Sequence, residues 1–256
     1  MNKKRMSIMT AIMLAGMVWQ AQASLFTDNF NRTAVAGTTN GADIGSGYVI
    51  SSTTATAGKF ALNGTQLTGG GGAGSAHIVL SYQGLVASNT AGSSFQASID
   101  VTPSSYSVGL LNGLVFNFQN ATNYYYARIS AGASLGAGNL SFGQFVDSTA
   151  PAAFSGTVSS LNIVTGTVYT LTISSDTAGT FDYTLIGGTL NLSGTFSDTV
   201  GGVDFSNGYV GAYAALSNGN PKFDNFSVTV IPEPATIGMM GLGAVAAMLL
   251  RRMRTR

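Results

Sequence analysis

Tyr124-Tyr125-Tyr126, followed by Arg128, are the residues of this chain best suited to binding chemistry. On an extended strand Tyr124, Tyr126 and Arg128 share one face, and Tyr125 takes the other. A tyrosine ring offers an apolar face on which a sugar ring can stack and a hydroxyl that hydrogen-bonds. Asn117 and Gln119 lie close in sequence and add polar groups. A shallow polysaccharide groove on comparatively exposed tyrosines is one expectation, and ordinary cross-strand aromatic packing is the other.

Catalytic chemistry is argued against by subtraction. Hydrolysis of a glycosidic bond generally uses two carboxylates roughly 5 to 10 Å apart, one protonated and one ionised. Between Ser24 and Val230 there is no glutamate, and the nine aspartates fall mostly at strand ends and turns, where Asp is common for backbone reasons. Asp182, between Phe181 and Tyr183, is the exception and is expected to face solvent from a strand. His77 is the sole histidine, so a multi-histidine metal site is ruled out, and the absence of cysteine rules out thiol chemistry and disulfides. His77 is expected at a strand edge. Gly69 to Gly74 has no following lysine and no helix start, so it is expected to be a plain loop rather than a phosphate cradle.

No cofactor is expected. The one ion whose ligand types are at hand is a structural calcium, for which Asp28, Asn29 and Asp224 could supply hard oxygens. The same residues could instead simply cap or turn the terminal strands.

These side chains need strands to hold them. Phe95-Ala97-Ile99-Val101, Leu114-Phe116-Phe118, Tyr169-Leu171-Ile173, Phe181-Tyr183-Leu185, Leu190-Leu192, Val210-Ala212 and Phe226-Val228-Val230 alternate with polar residues. A period of two places one face on a core and the other on solvent. Asn112-Gly113, Asn207-Gly208 and Gly187-Gly188 are expected as turns. The pattern predicts about twelve to fourteen strands, no helix, and an all-β, two-sheet antiparallel sandwich. Asp28-Asn29-Phe30 is echoed by Asp224-Asn225-Phe226, which predicts terminal strands lying side by side, as in a jelly roll.

Charge is partitioned along the chain. The whole sequence has a formal charge of +1, but Ser24 to Val230 holds four basic and nine acidic side chains. An acidic body with scattered cations excludes nucleic acid as a partner.

Both ends carry address labels. Lys3, Lys4 and Arg5 precede the apolar stretch Met6 to Val18, and Ala21-Gln22-Ala23 offers a small-x-small site for signal peptidase. Residues 1–23 are read as a signal peptide with a short helix, and 24–230 as the sandwich domain. In 231–256, Pro232-Glu233-Pro234 is followed by the uncharged run Ala235 to Leu250, then by Arg251, Arg252, Arg254 and Arg256. A helix of that run spans roughly 24 Å, close to a bilayer core, and the arginines would stay on the cytoplasmic side.

This tail resembles the PEP-CTERM sorting signal of Gram-negative bacteria. The resemblance implies recognition by an exosortase, a membrane cysteine protease, with transient residence in the inner membrane and delivery to the cell envelope or an exopolysaccharide matrix. Pro232, Glu233, Pro234 and the arginines are then recognition residues for a partner. The body, through Asp28-Asn29-Phe30, Gly113 to Ile129 and Gly208 to Val230, is similar in pattern to concanavalin-like or laminin-G-like jelly rolls. That likeness implies a lectin-type sandwich and, by family habit, a glycan surface or a structural calcium. The expected function is an exported, non-catalytic structural or polysaccharide-binding protein. An atypical glycan-active hydrolase or lyase on the same sandwich is the alternative, and the missing glutamate separates the two.

Overall fold

In the computed structural model sixteen strands form two antiparallel sheets, more than the pattern predicts because several strands are only four residues long. The described residues are 24–52, 59–70, 77–88, 94–106, 111–146, 156–177, 179–198, 207–215 and 220–231. The expected signal helix, the Pro232-Glu233-Pro234 motif, the C-terminal membrane helix and its arginines lie outside them. Among the described residues no helix is long and apolar enough to cross a membrane.

The chain runs β1 (Ser24–Asp28), β2 (Val35–Thr38), a single helical turn α1 (Gly41–Ile44), β3 (Tyr48–Ser52), β4 (Lys59–Leu62) and β5 (Leu67–Gly70). It continues with β6 (His77–Ser88), β7 (Ser94–Thr102), β8 (Leu111–Asn120), β9 (Asn123–Ser130), β10 (Gly138–Phe145) and β11 (Val158–Leu161). Last come β12 (Tyr169–Thr177), β13 (Thr180–Gly187), β14 (Leu190–Ser197), β15 (Asn207–Ala215) and β16 (Lys222–Ile231).

One sheet has nine strands, ordered β14-β13-β12-β7-β16-β5-β4-β2, with β1 also on β16. The other has seven, ordered β11-β10-β9-β8-β15-β6-β3. The first and last strands are neighbours, as the repeated Asp-Asn-Phe word predicts: Ser24 pairs with Val230 and Asp28 with Phe226.

The main core lies between the sheets. Phe95, Ala97, Ile99 and Val101 of β7 and Tyr169, Leu171 and Ile173 of β12 are fully buried there, as their alternation predicts. The seven-stranded sheet contributes Leu80, Leu114, Phe116, Tyr125, Ala127, Ile129 and Ala212. Phe116 packs on Tyr125 and Phe181 with ring centroids 5.7 and 4.9 Å away. Each such ring stabilises the fold by about 1.5 to 3 kcal/mol through burial.

Four sequence expectations fail. Phe118 does not continue the row of Leu114 and Phe116. The ladder shifts register between Phe116 and Asn120, Asn117 takes a left-handed φ of 48°, and Phe118 emerges on the opposite face. Asn112-Gly113 is not a turn but lies inside β8, paired with Ile129-Arg128 on one side and Ala214-Tyr213 on the other. Asn207-Gly208 opens β15 instead of turning, and only Gly187-Gly188 links two strands, with Gly188 at φ 55°. Gly69 and Gly70 belong to β5, so the glycine run is not wholly a loop; residues 71–74 lie outside the described set.

Candidate functional site

A two-layer sandwich needs apolar side chains only on the inward face of each sheet. The nine-stranded sheet largely obeys this, with Leu25 and Ile186 the exposed apolar exceptions. Its outward row carries Thr170, which donates to Asp100 at 2.6 Å, and Thr172 beside Ser98 at 3.1 Å. The seven-stranded sheet does not. Its outward face holds a second cluster of Val79, Val115, Phe118, Tyr124, Tyr126, Phe145, Tyr213 and Ala215.

Strand register explains how this face assembles. Tyr126 of β9 pairs with Val115 of β8 and Gly143 of β10. Arg128 pairs with Gly113, and Gly113 with Tyr213 of β15. Arg128 thus reaches across β8, and its Nη1 donates to the Tyr213 hydroxyl at 2.9 Å. The guanidinium lies 4.2 Å from the Tyr126 ring centroid and 5.7 Å from that of Tyr213. The two tyrosine rings are stacked with centroids 5.7 Å apart. Gly143 makes room: a Cβ there would collide with the Tyr126 ring and hydroxyl.

The tyrosines follow the expectation of cross-strand packing and not that of an exposed groove. Tyr124 is 0 % and Tyr126 8 % accessible, because bulged Phe118 and Phe145 close around them. Arg128 is half-buried and is the part of this cluster that brings charge to the surface. Asn117 is buried at the bulge and Gln119 is exposed beyond it. Burial pushes the Tyr124 and Tyr213 hydroxyls well above the usual tyrosine range, with Arg128 pulling each partly back. The Tyr124 hydroxyl and Arg128 Nε are buried without a hydrogen-bond partner. Sequence reading missed Tyr213, Phe145 and Val79. The alternation Tyr209-Gly211-Tyr213, aromatic on what should be a wet face, was the available signal.

Asp28 and Asp224, the expected calcium ligands, each accept hydrogen bonds from nearby groups. Both Asp28 oxygens are already engaged: Oδ1 accepts from the Phe30 amide at 2.7 Å, and Oδ2 takes Arg32 and the Tyr48 hydroxyl. Asp224 Oδ1 accepts from the Asn225 amide at 2.8 Å. Among the described residues no group of three or more His, Cys, Asp or Glu side chains could hold a metal. Asp28 ends β1 and fixes the turn in which Phe30 takes φ 52°, whereas Asp224 lies within β16 beside Asn225 at φ 47°. Beside them a polar cleft of about 440 Å³ is lined by Thr27, Asp28, Asn29, Asn225, Phe226 and Ser227. It opens where β16 exchanges β5 for β1 as its neighbour. His77 opens β6 opposite Ala215, and exposed Asp182 accepts from Thr195 across the β13–β14 pair.

No curated protein matches the sequence. Solved structures of similar fold include carbohydrate-binding module CBM66 from Bacillus subtilis, 19 % identical over 71 % of this chain and 94 % of that one, TM-score 0.50. A Bacillus subtilis protein of unknown function with a galectin-like fold is 10 % identical over 84 % of this chain and 100 % of its own, TM-score 0.51. A lectin from Bauhinia forficata in complex with GalNAc is 6 % identical over 82 % and 99 %, TM-score 0.55. Residues 230–254 match the PEP-CTERM protein-sorting motif. Such motifs mark proteins that are exported and processed by an exosortase at the membrane, so an exosortase is an implied partner. The chain therefore carries a PEP-CTERM sorting motif after a body whose fold resembles lectin-like jelly rolls.

Proposed function

We propose that the body is a non-catalytic polysaccharide-binding module that works in the cell envelope or extracellular matrix once its tail has been processed. The observation that carries this reading is half-buried Arg128, which brings charge to the outer face of the seven-stranded sheet while stacked on Tyr126 and anchored to Tyr213. Folding a two-layer sandwich does not require aromatic residues there. A fixed guanidinium beside aromatic rings is a standard means of orienting sugar hydroxyls and rings. The carbohydrate-binding and lectin names of the similar folds support the reading without assigning a ligand. The missing glutamate and the engagement of Asp28, Asp100 and Asp198 in internal hydrogen bonds support a non-catalytic role.

A glycan array probed with the mature protein tests this. Binding to at least one polysaccharide, weakened about tenfold or more by Arg128→Met, is expected, since hydrogen bonds to a charged donor contribute about 1.5 to 3 kcal/mol. Binding of no glycan would overturn the reading. Turnover of a bound polysaccharide by the purified protein would remove its non-catalytic part.

A further inference from the structure

Arg128 is a half-buried cation with no ion-pair partner among the described residues. Among them its hydrogen-bond partner is the hydroxyl of Tyr213. The only ion pair among the described residues is Arg32 with Asp28, on the other sheet. Its Nε is buried with no partner. The rings set against it are Tyr126 and Tyr213, neither of which is an anion at neutral pH. Tyr213 and Tyr124 are held protonated by burial, so neither supplies a compensating tyrosinate.

A guanidinium withdrawn from water costs free energy unless an anion or several acceptors meet it. Stacking on Tyr126 offsets part of that cost. The donors other than buried Nε suit a carboxylate or sulfate, which Arg binds through two parallel hydrogen bonds. We propose that Arg128 recognises the acidic group of an anionic sugar, so that the preferred ligand is a uronate- or sulfate-bearing polysaccharide rather than a neutral one. This rests on the glycan-binding reading above and specifies its ligand class. The acidic body, with nine aspartates against four basic residues from Ser24 to Val230, gives no general attraction for polyanions, so such binding must come from a local site.

The test compares three probes on the mature protein: oligogalacturonate, the same oligomer with its carboxylates methyl-esterified, and a sulfated dextran. Oligogalacturonate is expected to bind at least tenfold more tightly than its ester, with affinity falling as salt rises. Arg128→Met is expected to lose roughly ten- to a hundredfold of that affinity, and Arg128→Lys to retain part of it. Sulfated dextran binding that also depends on Arg128 supports the proposal and identifies sulfate as an accepted anion. Equal binding of oligomer and ester, or acidic binding unchanged by Arg128→Met, overturns it. If only neutral glycans bind and Arg128→Met weakens them, this inference fails while the glycan-binding function stands. If nothing binds, both fail.

Discussion

Three tyrosines make this sandwich vulnerable to alkali in a way that can be calculated. Tyr48, Tyr124 and Tyr213 are 5 %, 0 % and 0 % accessible, and burial raises the ionisation of each far above the usual tyrosine range. For Tyr48 the Asp28 carboxylate adds to the effect, both through its charge and as the acceptor of the hydroxyl at 2.9 Å. In the unfolded chain each ionises near pH 10. Below that pH both states hold the proton and nothing changes. Above it the unfolded chain releases three protons that the folded chain retains, so stability falls as pH rises. One pH unit above 10 each tyrosine costs about 1.4 kcal/mol, or about 4 kcal/mol for the three. A domain stable by about 5 to 15 kcal/mol should then unfold cooperatively within one or two further units. Circular dichroism and tyrosinate absorbance recorded together against pH measure this. The strand signal should be lost in one steep step above pH 10, accompanied by a step in the tyrosinate absorbance. Tyr124→Phe should lower the slope by roughly a third and leave neutral stability intact or better, because that hydroxyl has no partner to lose. Smooth ionisation of all tyrosines near pH 10 with the strand signal intact would refute the reasoning.

Other perturbations follow from named contacts. Asn112 is fully buried, shares the core-facing side of β8 with Leu114, and has both amide atoms unpaired, so Asn112→Leu should raise the urea midpoint by the equivalent of about 1 to 2 kcal/mol. Asp28→Ala strips partners from Tyr48, Arg32 and the Phe30 amide and should cost about 2 to 3 kcal/mol in chemical denaturation. Gly143→Ala puts a methyl where the Tyr126 ring lies; it should weaken glycan binding through a displaced Arg128 more than it lowers thermal stability. Pro232→Ala with Glu233→Ala should block tail processing and leave a larger, membrane-held form on a gel of cell fractions. Normal trimming of that variant would contradict the role of the motif.

The sandwich was legible because period two is a local property. The rows of β7 and β12 needed no knowledge of their neighbours to be placed on the core. The tail was legible for the same reason, since the sorting motif is a short linear pattern. The bulge at Asn117 was not. It reconciles Gly211 opposite Val115 with Tyr209 opposite Phe118, a constraint set by a strand almost a hundred positions later. Asn tolerates the left-handed conformation, but many asparagines here sit in ordinary turns. Arg128 was picked out by type and spacing, yet its partner Tyr213 lies 85 residues away, and only the order β9-β8-β15 brings them together. For Asp28 and Asp224 the sequence left two readings open, because an aspartate that fixes a turn and one that binds an ion look alike in sequence.

The central claim is that Arg128, on the outer face of the seven-stranded sheet, holds a glycan. Hydrogen exchange of the mature protein, with and without its tightest-binding polysaccharide, measures this most directly. Added protection is expected in Leu111–Asn120, Asn123–Ser130 and Asn207–Ala215, the three adjacent strands that carry Arg128, its rings and Gly113. Protection confined to the nine-stranded sheet, or none at saturating glycan, would contradict it.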